Sequence, residues 1–276
     1  MTRYALDSAT PVLSRPDGTV QVGWDPRRAV VVHPPPGLAA PVVADLLRAL
    51  QTAATVPELQ ILAAGRGADA TVVTDLIAHL VDSGVLTTAA PPPARSPSVR
   101  VHGEGPLSDL ISATLTSSGV RVTSSSMVHA SAAGADLAVL ADYLVADPRV
   151  ARDLHHAGVP HLAVRVRDGT GLVGPLVIPG ATSCLRCADL HRSDKDPAWA
   201  AVATQLSRTV GTADRATVLA TAGLALREIA HILRVVRPGA GPVAPAPATV
   251  DTTLEFDLNS GTVTARRWSP HPDCSC

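Results

Sequence analysis

Ser98-Val-Arg-Val-His-Gly-Glu-Gly-Pro-Leu-Ser108 reads as a strand, a glycine turn and the first turn of a helix. Val99 and Val101 alternate with polar residues, as a strand requires, and Gly103 and Gly105 free the backbone for a tight strand-to-helix turn. The pattern then repeats outward along the chain. Leu107 to Ser118 has helical spacing, Val120-Arg-Val122 and Ala135-Asp-Leu-Ala-Val-Leu140 are strand-like, Pro148 to Ala157 is helical, and His161-Leu-Ala-Val-Arg165 is a further strand. Alternation of this kind predicts an α/β domain, a Rossmann-like parallel sheet wrapped by crossover helices. Leu219, Ala222, Leu226, Ile229 and Leu233 step by three and four along one later helix, and Thr253 to Arg267 reads as a hairpin turning at Asn259-Ser-Gly261.

Upstream, Thr88 to Ser98 holds Pro91-Pro-Pro93 and no apolar period, which suits a stiff extended linker. The expected division is 1–90 as one domain, 91–98 as the proline-rich linker and 99–276 as the α/β domain. Pro238 to Pro247 reads as a loop inside the second domain, because its prolines remove amide donors. Before the linker, Pro11-Val-Leu-Ser14, Thr19-Val-Gln-Val-Gly23 and Ala29-Val-Val-Val32 predict a small antiparallel sheet. Leu38 to Leu50, Val56 to Leu62 and Val72 to Leu80 predict three helices. A small sheet with three helices is the content of a winged-helix-like α+β domain.

Composition excludes several roles. The formal net charge of the 276 residues is −1, so no global positive field draws the chain to phosphate backbones or anionic lipid, and neither nucleic acid nor a membrane is an expected partner. No run of about 20 apolar residues escapes charge or proline, and the first seven residues lack the pattern of a secretory signal. A cytoplasmic location is expected. Lys195 is the only lysine, so in this arginine-biased chain a missing lysine says little.

The four cysteines fall into two close pairs, Cys184-Leu-Arg-Cys187 and Cys274-Ser-Cys276, and no thiol is left over. A Cys-x-x-Cys turn sets two thiolates on one tetrahedral ion, and a second pair from a distant segment completes a closed tetrathiolate, the ordinary form of structural zinc. In a reducing compartment disulfides are disfavoured. His191, four residues after Cys187, has a spacing that would let it replace one cysteine, and His271 and Asp273 flank the last pair as solvated or supporting residues.

Gly103-x-Gly105-x-x-Ser108 resembles a dinucleotide-binding fingerprint with serine in place of the third glycine. Joined to Ala135-Asp-Leu-Ala-Val-Leu-Ala-Asp142, Gly158-Val-Pro-His-Leu162 and Gly171 to Cys187, the order resembles the E1-like, ThiF-type adenylating superfamily. Gly-Pro-Leu-Val-x-Pro-Gly-x-x-x-Cys-Leu-x-Cys and the closing His-Pro-x-Cys-x-Cys are similar to the cyclodehydratase-associated proteins of thiazole/oxazole-modified peptide biosynthesis (the leader-binding, ocin-ThiF-like group). The resemblance covers roughly 98–276. It implies an N-terminal winged-helix peptide-recognition domain at 1–90, like the small PqqD-type leader binders, and a protein that presents a ribosomal precursor peptide to a YcaO-type enzyme.

Catalytic members of the superfamily place an acid on the ribose, arginine and lysine on the triphosphate and an aspartate on magnesium. Here the second strand ends Arg121-Val-Thr-Ser-Ser-Ser126, without the acid, and the lysine is absent, with Arg149 and Arg152 as stand-ins. Asp142 matches the metal-binding aspartate, and capping of a following segment is the other reading. Gly103, Gly105 and Asp142 are thus expected as a vestigial nucleotide site, with ATP not bound and catalysis lost. The expected partners are a precursor peptide, the YcaO-type enzyme and a second copy of the chain. The competing readings are an adenylating enzyme that uses arginine for lysine, and an adaptor for an unrelated protein. His155-His156 is read as a solvated helix end, and Trp24, Trp199 and Trp268 as packing or dimer contacts.

Overall fold

The computed structural model describes residues 1–89, 95–127, 134–236 and 245–276. The centres of both proline-rich stretches, 90–94 and 237–244, lie outside the described residues. The chain divides into two compact units, Met1–Pro92 and Pro93–Cys276.

In the first unit the elements run β1 (Arg3–Ala5), β2 (Val12–Ser14), β3 (Val20–Val22), β4 (Val30–Val32), α1 (Ala40–Leu50), β5 (Ala54–Thr55), α2 (Val56–Ala64), α3 (Ala70–Asp82) and β6 (Thr87–Ala89). Strands β2, β3 and β4 form the expected antiparallel sheet, and β1 pairs antiparallel with β5 and β6 in a second sheet. Strands β1, β5 and β6 hold no valine or isoleucine, unlike β2, β3 and β4, which is why the second sheet is silent in the sequence. Thr55 and Glu58 close a capping box at the start of α2, and Asp69 caps α3 through the Thr71 amide at 2.8 Å. Leu46, Leu47 and Leu50 of α1, Leu59 of α2 and Ile77 and Leu80 of α3 meet Val20, Val22 and Val32 in one core. Each fully buried leucine there contributes roughly 2 kcal/mol.

The second unit runs β7 (Ser98–His102), α4 (Pro106–Ser117), β8 (Arg121–Ser125), β9 (Leu137–Ala141), α5 (Pro148–His156), β10 (His161–Arg167), β11 (Thr170–Val177), α6 (Leu185–Ser193), α7 (Trp199–Leu206), α8 (Arg215–Val236), β12 (Thr252–Asp257) and β13 (Thr262–Arg267). All seven strands form one sheet in the order β13-β12-β11-β10-β9-β7-β8. Strands β8, β7, β9 and β10 are parallel, as the alternation predicts, and β11, β12 and β13 extend them antiparallel. Helices α4 and α8 cover one face through Leu107, Ile111, Ala222, Ala225 and Ile229, and α5 covers the other through Val150 and Leu154. Residues Arg215–Val235 form the one described helix long and apolar enough by length and composition to cross a bilayer. In the fold, its Ala225, Ile229 and Ile232 are fully buried against the sheet.

Candidate functional site

The two cysteine pairs meet. Cys184 is the N-cap of α6 and Cys187 lies in its first turn, while the tail beyond β13 brings Cys274 and Cys276 to them. The sulfur separations are 3.8 Å for Cys184 and Cys187, 3.6 Å for Cys184 and Cys274, and 3.4 Å for Cys187 and Cys276. All four sulfurs lie within 4.8 Å of one another, and the thiols are not joined as disulfides. A tetrahedral ion with metal–sulfur bonds of about 2.3 Å needs sulfur–sulfur edges of about 3.8 Å. The cluster therefore has the shape and donor chemistry to hold a metal ion, and the residues present fit it.

Electrostatics at the cluster follow its burial. Desolvation pushes the Cys184 thiol up despite the Cys187 amide, and burial with the Cys187 sulfur raises Cys276. Cys187 feels the same desolvation, yet the backbone amides of His271 and Cys184 bring it down to about 7. Buried thiols held this close ionise together only when a cation neutralises them.

Of the two readings the sequence offered for His271, solvated or supporting, the structure places it in the second. Its ring is 5% exposed, its Nδ1 accepts the Asp273 amide at 3.1 Å, and its carbonyl accepts the Cys274 amide at 3.0 Å. With Nδ1 accepting, Nε2 carries the proton and donates to Asp194 at 2.9 Å. His191 donates from Nε2 to the Ser269 carbonyl at 3.1 Å. His191, Asp194 and His271 come within metal-ligand range of one another, but both facing imidazole nitrogens are spent as donors. They form a clasp behind the tail, and the four cysteines meet without His191 among them. Asp251 fixes the approach to α6 by accepting from the Ser183 amide and hydroxyl at 2.8 and 2.7 Å.

A second group of residues converges where α4 begins. Asp142, 1% exposed and with a left-handed φ of 69°, accepts from the Leu107 amide at 2.9 Å and the Ser108 amide at 3.1 Å. It caps α4 across the sheet; the segment after it is capped instead by Asp147, which accepts from the Arg149 amide at 2.8 Å. A Cβ on Gly103 would stand 2.9 Å from the Asp142 carboxylate, and one on Gly105 would stand equally close. The two glycines are required by that approach. Ser108 closes the turn, its hydroxyl donating to the Gly105 carbonyl at 2.9 Å. A helix N-terminus holds anions through such free amides, and here a carboxylate of the same chain holds them. Arg149 is turned to Asp147 at 2.9 Å, and Arg152 lines a cavity beside the cysteine cluster.

That cavity, of about 460 Å³, lies between α5, α6 and the tail. His155 and His156 both line it, and His155 keeps its Nδ1 buried without a partner; the solvated helix end expected for this pair describes His156 alone, which is exposed. His161, 1% exposed, also lines it and donates from Nδ1 to the Val159 carbonyl at 3.0 Å. Trp199 and Trp268 sandwich the Arg192 guanidinium at 5.0 and 5.1 Å, whereas Trp24 is largely exposed.

No family model and no curated protein matches the sequence. Among solved structures, a heterocyclase in complex with substrate and cofactor is similar at a TM-score of 0.68 and 15% identity, over 100% of this chain and 39% of that one. The heterocyclase TruD is similar at 0.64 and 18%, over 100% of this chain and 42% of its own. MccB of E. coli, with ATP, is similar at 0.57 and 11%, over 99% of both chains. The chain spans about two-fifths of the length of the two heterocyclase chains. At these identities the likeness is one of architecture, and it is the architecture that the resemblance in sequence implied.

Proposed function

We propose that this chain is a leader-binding, non-adenylating partner of a YcaO-type cyclodehydratase in azole-modified peptide biosynthesis, with zinc held structurally by Cys184, Cys187, Cys274 and Cys276. Residues 1–90 act as a winged-helix-like peptide-recognition domain. The observation that carries this reading is the free edge of β4. The Arg15 amide bonds the Thr19 carbonyl and the Gly23 amide bonds the Pro11 carbonyl, so Leu13 and Gln21, midway between them, form the next hydrogen-bonded pair of β2 and β3. Gln21 therefore spends its backbone groups on β2. Its partner across β3 and β4, Val31, points its own amide and carbonyl outward. Val30 and Val31 are 38% and 39% exposed, which offers an extended peptide both backbone partners and apolar side chains.

The sheet domain serves as scaffold in this reading. Asp142 already fills the start of α4, the ribose acid is missing after β8, and Arg149 is committed to Asp147, so little remains to stabilise a triphosphate. Val31→Pro removes the outward donor and spares the pairing with β3. Binding of the precursor leader encoded beside the gene should weaken about tenfold, the worth of one hydrogen bond of about 1.4 kcal/mol, with the melting temperature nearly unchanged. Unaltered affinity in a folded Val31→Pro variant would exclude β4 as the docking strand.

A further inference from the structure

One buried charge is left over by the fold. Arg165, on β10, is 9% exposed, and its guanidinium has no hydrogen-bond or ion-pair partner among the described residues. Asp189 and Glu255 attract it from a distance, but Asp189 pairs with Arg192 at 3.0 Å and Glu255 with Arg167 at 3.4 Å. Arg266 joins the group over the Trp268 ring. Four guanidinium groups thus share two carboxylates. Burial and the neighbouring arginines pull Arg165 down to about 10, so it stays charged near neutrality with five donors and no acceptor, a costly state unless an anion completes it.

Space for that anion exists. Arg165 and Arg192 line a small cavity of about 20 Å³ together with Pro175 and Trp268. This is room for a group the size of one water. The small cavity shares Ala146, Leu185 and Asp189 as walls with the cavity of about 460 Å³ beside the cysteines. Arg152 and Arg186, at the cysteine end, would be taken up by the two negative charges of a zinc tetrathiolate. Arg165 has no such claim on it.

We propose that the two cavities form one binding site for a carboxylate, with an oxygen of the ligand bonded to Arg165 in the small cavity and the rest of the ligand in the larger one. A seat the size of one water takes a single anionic oxygen of the ligand, which a carboxylate supplies on a narrow planar group. The site does not depend on the azole-pathway reading.

Trp268 lines the small cavity, so tryptophan fluorescence of the full-length, zinc-loaded protein reads its occupancy. Titration with sodium acetate and with N-acetyl-aspartyl amide, against sodium chloride at matched ionic strength, should give a saturable change with a carboxylate alone. A response to acetate identifies a free acid as sufficient; a response to the aspartyl amide only identifies a peptide carboxylate. Arg165→Met should weaken binding about tenfold or more, and Arg167→Met should leave it intact. If Arg165→Met does not fold, Ala146→Leu, which narrows the passage, should give the same loss. The proposal is overturned by no saturable response to either carboxylate, by an equal response to chloride, or by full binding in a folded Arg165→Met or Ala146→Leu protein.

Discussion

Helix α4 begins at a carboxylate and helix α6 at a thiol, and the two starts differ in what completes them. The first amides of α4 meet the Asp142 carboxylate, which accepts from Leu107 and Ser108 at 2.9 and 3.1 Å. Helix α6 starts instead at the Cys184 thiol, which makes no capping bond, and burial opposes the ionisation of Cys184 and Cys276. One helix start is completed by the chain itself. In the proposed zinc-bound form the other is completed by a cation, so the stability of the tail would be conditional where that of the sheet centre is not.

Metal removal tests the contrast most strongly. Structural zinc contributes on the order of 10 kcal/mol to folding at neutral pH. Chelation, or Cys187→Ser, should therefore collapse the melting temperature and expose the amides of α6 and the tail in hydrogen exchange. The amides at the start of α4 should lose protection last. Elemental analysis that finds well under one zinc per chain would break the comparison at its root.

Asp142→Ala should cost about 2–3 kcal/mol, because two buried amides lose their acceptor. The sharper expectation is a gain. Inorganic phosphate should raise the melting temperature of Asp142→Ala and leave the parent protein unmoved, since only the variant has a vacant helix start. Calorimetry of the parent with ATP and magnesium should show no binding; micromolar affinity lost in Asp142→Ala would instead make this an adenylating site.

A smaller effect separates the cysteine side by pH. Burial holds His161 down to about 4, against the Val159 hydrogen bond that raises it and with His155 lowering it further. A depressed histidine binds fewer protons folded than unfolded, so its contribution is complete above about pH 6.5 and is lost as pH falls towards 4. Between pH 7 and pH 5 this amounts to about 2 kcal/mol. Urea midpoints of the parent and of His161→Gln should converge over that range; parallel slopes would show that His161 is not the proton acceptor.

The cysteine cluster was legible because the chain has four cysteines and the spacing uses them all. Helices α1, α3 and α8 were legible because their apolar residues repeat at three and four. Strand β11 was not assigned as a strand, since Gly171, Gly174 and Pro175 break the alternation that marks one. Helix α6 was hidden because only Cys187 and Ala188 of its nine residues are buried, and α7 buries none. The contact of Asp142 with residues 34 and 35 positions away belongs to the crossing of β9 and α4, which no local pattern encodes. Arg165 reads as one more arginine in a strand until its neighbours show that both acids are already taken.

Gly103 and Gly105 are shaped around Asp142, and this limits which substitutions the turn can accept. Freeing the first amides of α4 for a phosphate would mean discarding Asp142, leaving two orphaned amides and a fold weakened before any new ligand was held. Substituting either glycine while Asp142 remains would force backbone and carboxylate together. Either single change therefore passes through a less stable protein, and the turn is locked against alteration one residue at a time.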